Sequence, residues 1–287
     1  MPELPEVEVV KQSLQKYILN KKLLKIIVKN KNLRFPVHKT ISKILSNIKI
    51  LSVKRISKYV VIEFKGNLFL LIHLGMSGTL HLFKNNKNIR NTNLSFYHKR
   101  DLPKKHNHIF FKFKYFSIVF NDPRRFGFIK LIKGNKNLKI YFDKIGPDPF
   151  DKNFNLGYLK NHLKNKVKNI KNTLIDQKSV SGIGNIYVSE ILNYAKVNPL
   201  RPCRKINDED LSKIIFYTKK VLRRSINIGG TTIINFQSIK GSQGSYQKEF
   251  RAYDRKGQKC KNKLCFGTII KINLSNRSTY MCNICQK

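Results

Sequence analysis

The chain has 287 residues, 58 of them Lys or Arg against 16 Asp or Glu, for a formal charge of +42 at pH 7. A hydrophobic share of 41% supports a packed core of about two domains and excludes a disordered polybasic tail. No apolar run approaches the roughly 18 residues that cross a membrane, and the start lacks the pattern of a secretory leader, so a cytoplasmic protein is expected.

Compositional drift inflates Lys and Asn in stretches such as "KNNKNIRNTN". Acids are nearly excluded as well, which points to a polyanion partner held by phosphate neutralisation and counterion release. Against that background "MPELPEVEVV" gathers Glu3, Glu6 and Glu8 at the tip. Pro5 can open a helix whose N-terminus favours those acids, with Val7, Val10, Leu14, Tyr17 and Ile18 near one face.

From about Leu23 to Ile132 come short β-rich runs: "LLKIIVK", "IKILSVKRI", "YVVIEF", "LFLLIHL", "IFFKFKY", "SIVF" and "FGFIKLI". Strands without intervening helices predict a sandwich or barrel. "KGNKNLK" and "GPDPFDKN" read as a linker. Helical patterns follow in "LGYLKNHLKN", "IYVSEILNYA", "DEDLSKIIFYTKKVLRRSI" and "TTIINFQ", the third with Asn207 and Asp210 as N-terminal cap. The predicted division is 1–133 (β-sandwich), 134–152 (linker), 153–250 (helical) and 251–287 (cysteine-rich).

The strongest local signal is Cys260-x4-Cys265, sixteen residues, then Cys282-x2-Cys285. Four thiolates at such spacing suit one structural Zn²⁺, with no open position for a reacting water. Cys203 is left over as a reduced thiol. Between the pairs "LSNRSTY" forms a turn that projects Arg277. "SGIGNIYVSE" sets Gly182 and Gly184 ahead of a helix, where backbone N–H groups can approach a phosphate. "NDPRRFGF" could insert side chains into a duplex or be a plain hairpin turn, and "HLGMSGTL" could be only a strand end. His106 and His108 in "KKHNHIFF" are adjacent on one strand, unlike the spread residues of an HNH nuclease.

Removal of Met1 would leave Pro2 as a secondary amine, and ordinary terminal amines have a pKa of roughly 7.7–8. Attack by such an amine on a sugar's anomeric carbon gives an iminium directly, an electron sink for elimination. Glu3 beside it can serve as general acid.

"MPELPEVE", "HLGMSG", "DPRRFG", "GIGNIYVSE", "GGTT", "YDRKG" and the four-cysteine segment, in this order, resemble the bacterial formamidopyrimidine-DNA glycosylase family from end to end. The resemblance implies an α+β multidomain fold: an N-terminal two-layer β-sandwich, a helix-two-turn-helix domain with a lid loop, and a C-terminal zinc hairpin. It implies excision of 8-oxoguanine and formamidopyrimidines from double-stranded damaged DNA, then strand cleavage by β,δ-elimination, by a monomer needing no external cofactor.

By the same resemblance Pro2 is the Schiff-base nucleophile and Glu3 its acid–base partner. Lys58 takes part in proton transfer, and Arg277 in phosphate binding and δ-elimination. Met76, Arg124 and Phe126 match the side chains that fill the gap left by the flipped nucleotide. His106, Lys166, Lys171 and Asn185 match phosphate contacts. Three departures stand out: the first cysteine pair commonly spans two residues in the family and spans four here, the insert "FKNNKNIRNTNLSFYHKRDLPKKHNH" is long, and "SIKGSQGSYQKEF", which corresponds to the lid, differs enough that no lesion contact is assigned to it. The alternatives are oxidised-pyrimidine specificity, as in the sister branch, and a catalytically silent DNA-binding protein.

Overall fold

The computed structural model describes residues 1–84, 87–88, 104–231 and 245–287. These fall into two compact units, 1–143 with 226–245, and 144–225 with 246–287. All of "TTIINFQ" but Thr231, most of the expected lid segment (238–250) and most of the long insert lie outside the described residues.

The first unit opens with α1 (Leu4–Ile18). Pro5 sits in the first turn, where its missing N–H costs no helical bond, and Glu3 with Glu6 forms a capping box. Val7, Val10, Leu14 and Ile18 are buried and Tyr17 packs beside them, the face the spacing predicts. Next come β1 (Lys22–Leu23), β2 (Lys25–Val28), α2 (Ile41–Leu45), β3 (Ile48–Ile56), β4 (Tyr59–Phe64), β5 (Leu68–His73), β6 (Thr79–Lys84), β7 (Lys87–Asn88), β8 (Asn107–Lys112), β9 (Ser117–Asn121) and β10 (Phe128–Lys133).

They make two antiparallel five-stranded sheets, ordered β1-β3-β4-β5-β10 and β2-β8-β9-β6-β7. The run "LLKIIVK" is two strands rather than one: β1 pairs with β3, and β2 pairs with β8 in the other sheet. Val60, Ile62, Leu70 and Ile72 from one sheet and Leu80, Leu82, Ile109 and Phe120 from the other share the core with α1.

The stretch expected as a linker, 134–152, begins instead with a helix, α3 (Asn135–Phe142). Its cause lies in the sheet. Val61, Phe69, Leu71 and Ile132 point away from the main core, and Leu138, Tyr141 and Phe142 of α3 cover them. The continuous apolar runs of β4 and β5 therefore reflect strands buried on both faces.

The second unit holds α4 (Leu156–Leu163), α5 (Ile170–Ile175), α6 (Asn185–Ala195), most of α7 (Asp208–Asn227), α8 (Tyr246–Glu249) and the hairpin β11 (Ile269–Leu274) with β12 (Arg277–Cys282). Asn155 and Asn169 cap α4 and α5 by accepting the amides of Tyr158 and Asn172, both at 2.9 Å. Asn207 caps α7 through the Asp210 amide at 2.8 Å, as the sequence predicts. The described residues 226–231 and 245 group with the first unit.

Candidate functional site

At the amino end Pro2 and Glu3 are buried. The Glu3 amide donates to Glu6 Oε2 at 2.8 Å, and the Glu3 side chain accepts the Glu6 amide. The second Glu6 oxygen accepts the Thr231 amide at 2.9 Å and its hydroxyl at 3.0 Å. One carboxyl thus fixes the tip of α1 and anchors the chain at Gly230 and Thr231. Gly230 has φ +82 and comes so close that a Cβ there would lie 3.0 Å from Glu6 Oε1.

Lys58 is buried in the tight turn between β3 and β4, next to Ser57 at φ +54. Arg55 holds this turn to α1: its Nε meets Glu8 Oε2 at 2.9 Å while its Nη1 donates to Ser57 O at 3.1 Å. Burial pushes the Glu8 carboxyl up, but the Lys11 hydrogen bond and the Lys11 and Arg55 charges outweigh it and hold the group below its ordinary range. His73 is lowered to about 4 by burial and by the Lys58 and Arg34 charges. A neutral imidazole and a lysine therefore share the neighbourhood of this turn.

Met76 and Phe126 are exposed large apolar side chains, at 46% and 39%. Arg124 is also exposed, its guanidinium 4.6 Å from the centre of the Phe126 ring. Phe126 does not return to the core, so the plain-hairpin reading is set aside. His106 is half-buried in a 3-10 turn just before β8, while His108 lies on the strand, so the two are not on one strand. Burial, then the Lys105 and His108 charges, lowers His106.

In the second unit Gln177 holds the glycine turn before α6, accepting the Gly182 amide at 2.8 Å and donating to Ile183 O at 2.9 Å. Asn185, first in α6, donates to Ser278 O at 2.9 Å. Lys171 is 0% exposed. Its ammonium donates to Thr279 Oγ1 and to Ser278 O at 3.3 Å. Lys171, expected at a phosphate, is enclosed here, and its ammonium braces the hairpin backbone next to Arg277. Lys166 is half-buried, hydrogen-bonded to His162 at 2.5 Å. Arg277 itself is exposed after a two-residue turn, Ser275 and Asn276, both at positive φ as such turns require.

The four thiols of Cys260, Cys265, Cys282 and Cys285 lie within 4.8 Å of one another. Sγ separations of 3.7 Å (Cys260–Cys285) and 3.6 Å (Cys265–Cys282) match the roughly 3.8 Å edge of a tetrahedron with metal–sulfur bonds near 2.3 Å. Each sulfur also receives an N–H. The amides of Asn262, Gly267 and Ile284 serve Cys260, Cys265 and Cys282 at 3.4 Å, and the Asn262 side chain serves Cys285 at 3.1 Å. These donors favour thiolates, so the set fits a metal ion. Cys203 stays apart, buried against the Thr173 hydroxyl.

Sequence reasoning missed three acids that organise the site. Glu6 was read for the helix dipole alone, and Asp122 as part of a turn. Glu190 is wholly buried in α6 and accepts the amides of Arg251, Ala252 and Tyr253 at 2.7, 3.0 and 2.8 Å. The available signal was a lone acid within an apolar helical run of a chain that otherwise avoids acid.

The family description "Formamidopyrimidine-DNA glycosylase N-terminal domain" matches residues 1–129, and "Formamidopyrimidine-DNA glycosylase H2TH domain" matches 145–237. A formamidopyrimidine-DNA glycosylase of Wolbachia sp. subsp. Drosophila simulans (strain wRi) is 39% identical over 288 residues, spanning 100% of both chains. Among solved structures, a Lactococcus lactis Fpg variant bound to a Fapy-dG containing DNA superposes with a TM-score of 0.88 at 29% identity, covering 100% of each chain. The wild-type Lactococcus lactis protein with an oxidized pyrimidine containing DNA gives 0.86 at 30% identity, again over 100% of each.

Proposed function

The chain belongs to the formamidopyrimidine-DNA glycosylase family, and from that premise we propose that it excises 8-oxoguanine and formamidopyrimidines and then cleaves the strand by β,δ-elimination. It is a DNA glycosylase of base excision repair. With Met1 removed, the Pro2 nitrogen attacks C1′ and the glycosidic bond breaks, Glu3 supplying the proton that the ring oxygen or leaving base needs. The resulting iminium acidifies the C2′ proton. Its loss expels the 3′ phosphate, and a second elimination expels the 5′ phosphate, leaving a one-nucleotide gap with phosphates on both sides.

Lys58 moves protons in the first elimination and contacts DNA. Arg277 binds phosphate and assists the second. Met76, Arg124 and Phe126 fill the gap left by the extruded nucleotide, Phe126 between bases and Arg124 against the orphaned partner. His106, Lys166 and Asn185 bind phosphates around the lesion. One Zn²⁺ on the four cysteines would stiffen the hairpin that carries Arg277 and take no part in bond making. The protein works as a monomer in the cytoplasm on duplex DNA, and its charge gives it strong salt-dependent affinity for undamaged duplex as well.

The observation that carries this reading is the buried Pro2–Glu3 tip held in the capping box with Glu6. Borohydride trapping on a duplex holding 8-oxoguanine opposite cytosine, followed by mass mapping, tests it. An adduct on Pro2 is expected. Binding without an adduct would refute the purine assignment. The Lactococcus complex with oxidized-pyrimidine DNA makes such a lesion the second substrate to try.

A further inference from the structure

Two loops of the first unit carry the three exposed side chains just assigned to the gap: Met76 follows β5, and Arg124 and Phe126 lie between β9 and β10. Beneath them is a polar clasp. Asp122 is fully buried; its Oδ1 accepts the Ser77 hydroxyl and its Oδ2 accepts the Gly127 amide at 2.7 Å. The Ser77 oxygen accepts the Arg124 amide at 3.2 Å. Asp122 is itself held at both ends of its backbone, its amide donating to His106 O at 3.0 Å and its carbonyl accepting His108 Nε2 at 2.8 Å.

The loops also meet backbone to backbone. Gly75 has φ +61, and a Cβ on it would fall 2.4 Å from Gly127 N and from Phe126 C. A Cβ on Gly127 would lie 2.8 Å from His73 O. The Met76 turn and the Arg124–Phe126 turn therefore fit in one arrangement, with Ser77 and Asp122 as a polar link between them.

We propose that Ser77 and Asp122 are positioning residues for opposite-base selection, locking the two turns so that Met76, Arg124 and Phe126 enter the duplex as one preset wedge. The inference rests on the gap-filling roles proposed above. Its physical basis is preorganisation: a buried carboxyl with two donors meets little competition from water, so the loop geometry is set before DNA arrives. Since Arg124 also lies over Phe126, a shift of the Arg124 backbone passes to the intercalating ring.

Single-turnover excision of 8-oxoguanine opposite cytosine and opposite adenine gives the discrimination ratio. Ser77→Ala removes the link to the Arg124 amide and leaves the Gly127 bond in place. The ratio should drop roughly tenfold, the scale of a small misplacement of a selecting group. Ser77→Thr, which keeps the hydroxyl, should restore it. Asp122→Asn should hold the ratio within about twofold, its amide oxygen taking the Gly127 N–H and its NH₂ donating to Ser77. Adding Ser77→Ala to Arg124→Ala should lower the ratio no further.

An unchanged ratio in Ser77→Ala overturns the inference, as does an additive loss in the double variant or a collapse in Asp122→Asn. If Arg124→Ala alone keeps the ratio, the gap-filling role of Arg124 fails first and the inference falls with it. The two failures are therefore distinguishable.

Discussion

Glu6→Ala is expected to damage both stability and chemistry from a site that touches no substrate in the proposed mechanism. The side chain is 2% exposed and accepts three hydrogen bonds, from the Glu3 amide, the Thr231 amide and the Thr231 hydroxyl. The hydroxyl can turn to another acceptor, but the two amides cannot. Two buried N–H groups left without partners, one of them the Glu3 amide of the capping box, cost about 1–3 kcal/mol each. A destabilisation of about 2–6 kcal/mol follows. Glu6→Gln keeps the shape but turns an NH₂ toward one of the donors, for about half that cost.

Urea unfolding measures the stability change. Single-turnover borohydride trapping measures the chemistry, which should slow by roughly 10–100-fold, because the tip of α1 loses the bond that orients Pro2 and Glu3. A Glu6→Ala protein with the wild-type urea midpoint and trapping rate would refute the argument that this carboxyl organises the tip.

Lys171→Met should cost about 1–3 kcal/mol, since it removes the Thr279 and Ser278 contacts but also relieves a buried charge. Native-state hydrogen exchange at β12 should report the loosening. His73 bears on pH dependence. With its folded pKa lowered to about 4 from an ordinary 6.5, the unfolded chain binds the proton first as pH falls. Stability is full above about 6.5 and declines toward about 4 by on the order of 2–3 kcal/mol, and His73→Gln should flatten that slope in urea titrations. Chelation at neutral pH should release one metal equivalent and abolish protection of β11 and β12, as should Cys285→Ser; a protein that never carried metal would overturn the zinc assignment. Affinity for undamaged duplex should fall with log salt at about 0.9 per phosphate neutralised, and fluorescence anisotropy showing weak, flat binding would refute the phosphate-gripping reading of the charge.

Periodicity and cap chemistry made much of this fold legible. Val7, Val10, Leu14 and Ile18 defined the buried face of α1, Asn207 capped α7, and cysteine spacing announced a four-sulfur cluster, because each signal spans only neighbouring residues. The motif order also identified the family. The helix at Asn135–Phe142 was not legible, since it is called for by an apolar sheet face built from residues far away in sequence.

The candidate site divides along the same line. Spacing singled out the four cysteines and terminal-amine chemistry drew attention to Pro2 with Glu3, while the role expected of Arg277 came only through the family resemblance. Tertiary structure alone decided that Lys171 faces Thr279 rather than solvent, that Glu6 reaches Thr231, and that Asp122 joins two turns. Whether a charged side chain grips a ligand or braces the backbone depends on what encloses it. That enclosure comes from segments up to 225 positions apart in sequence, as between Glu6 and Thr231, which no local pattern records.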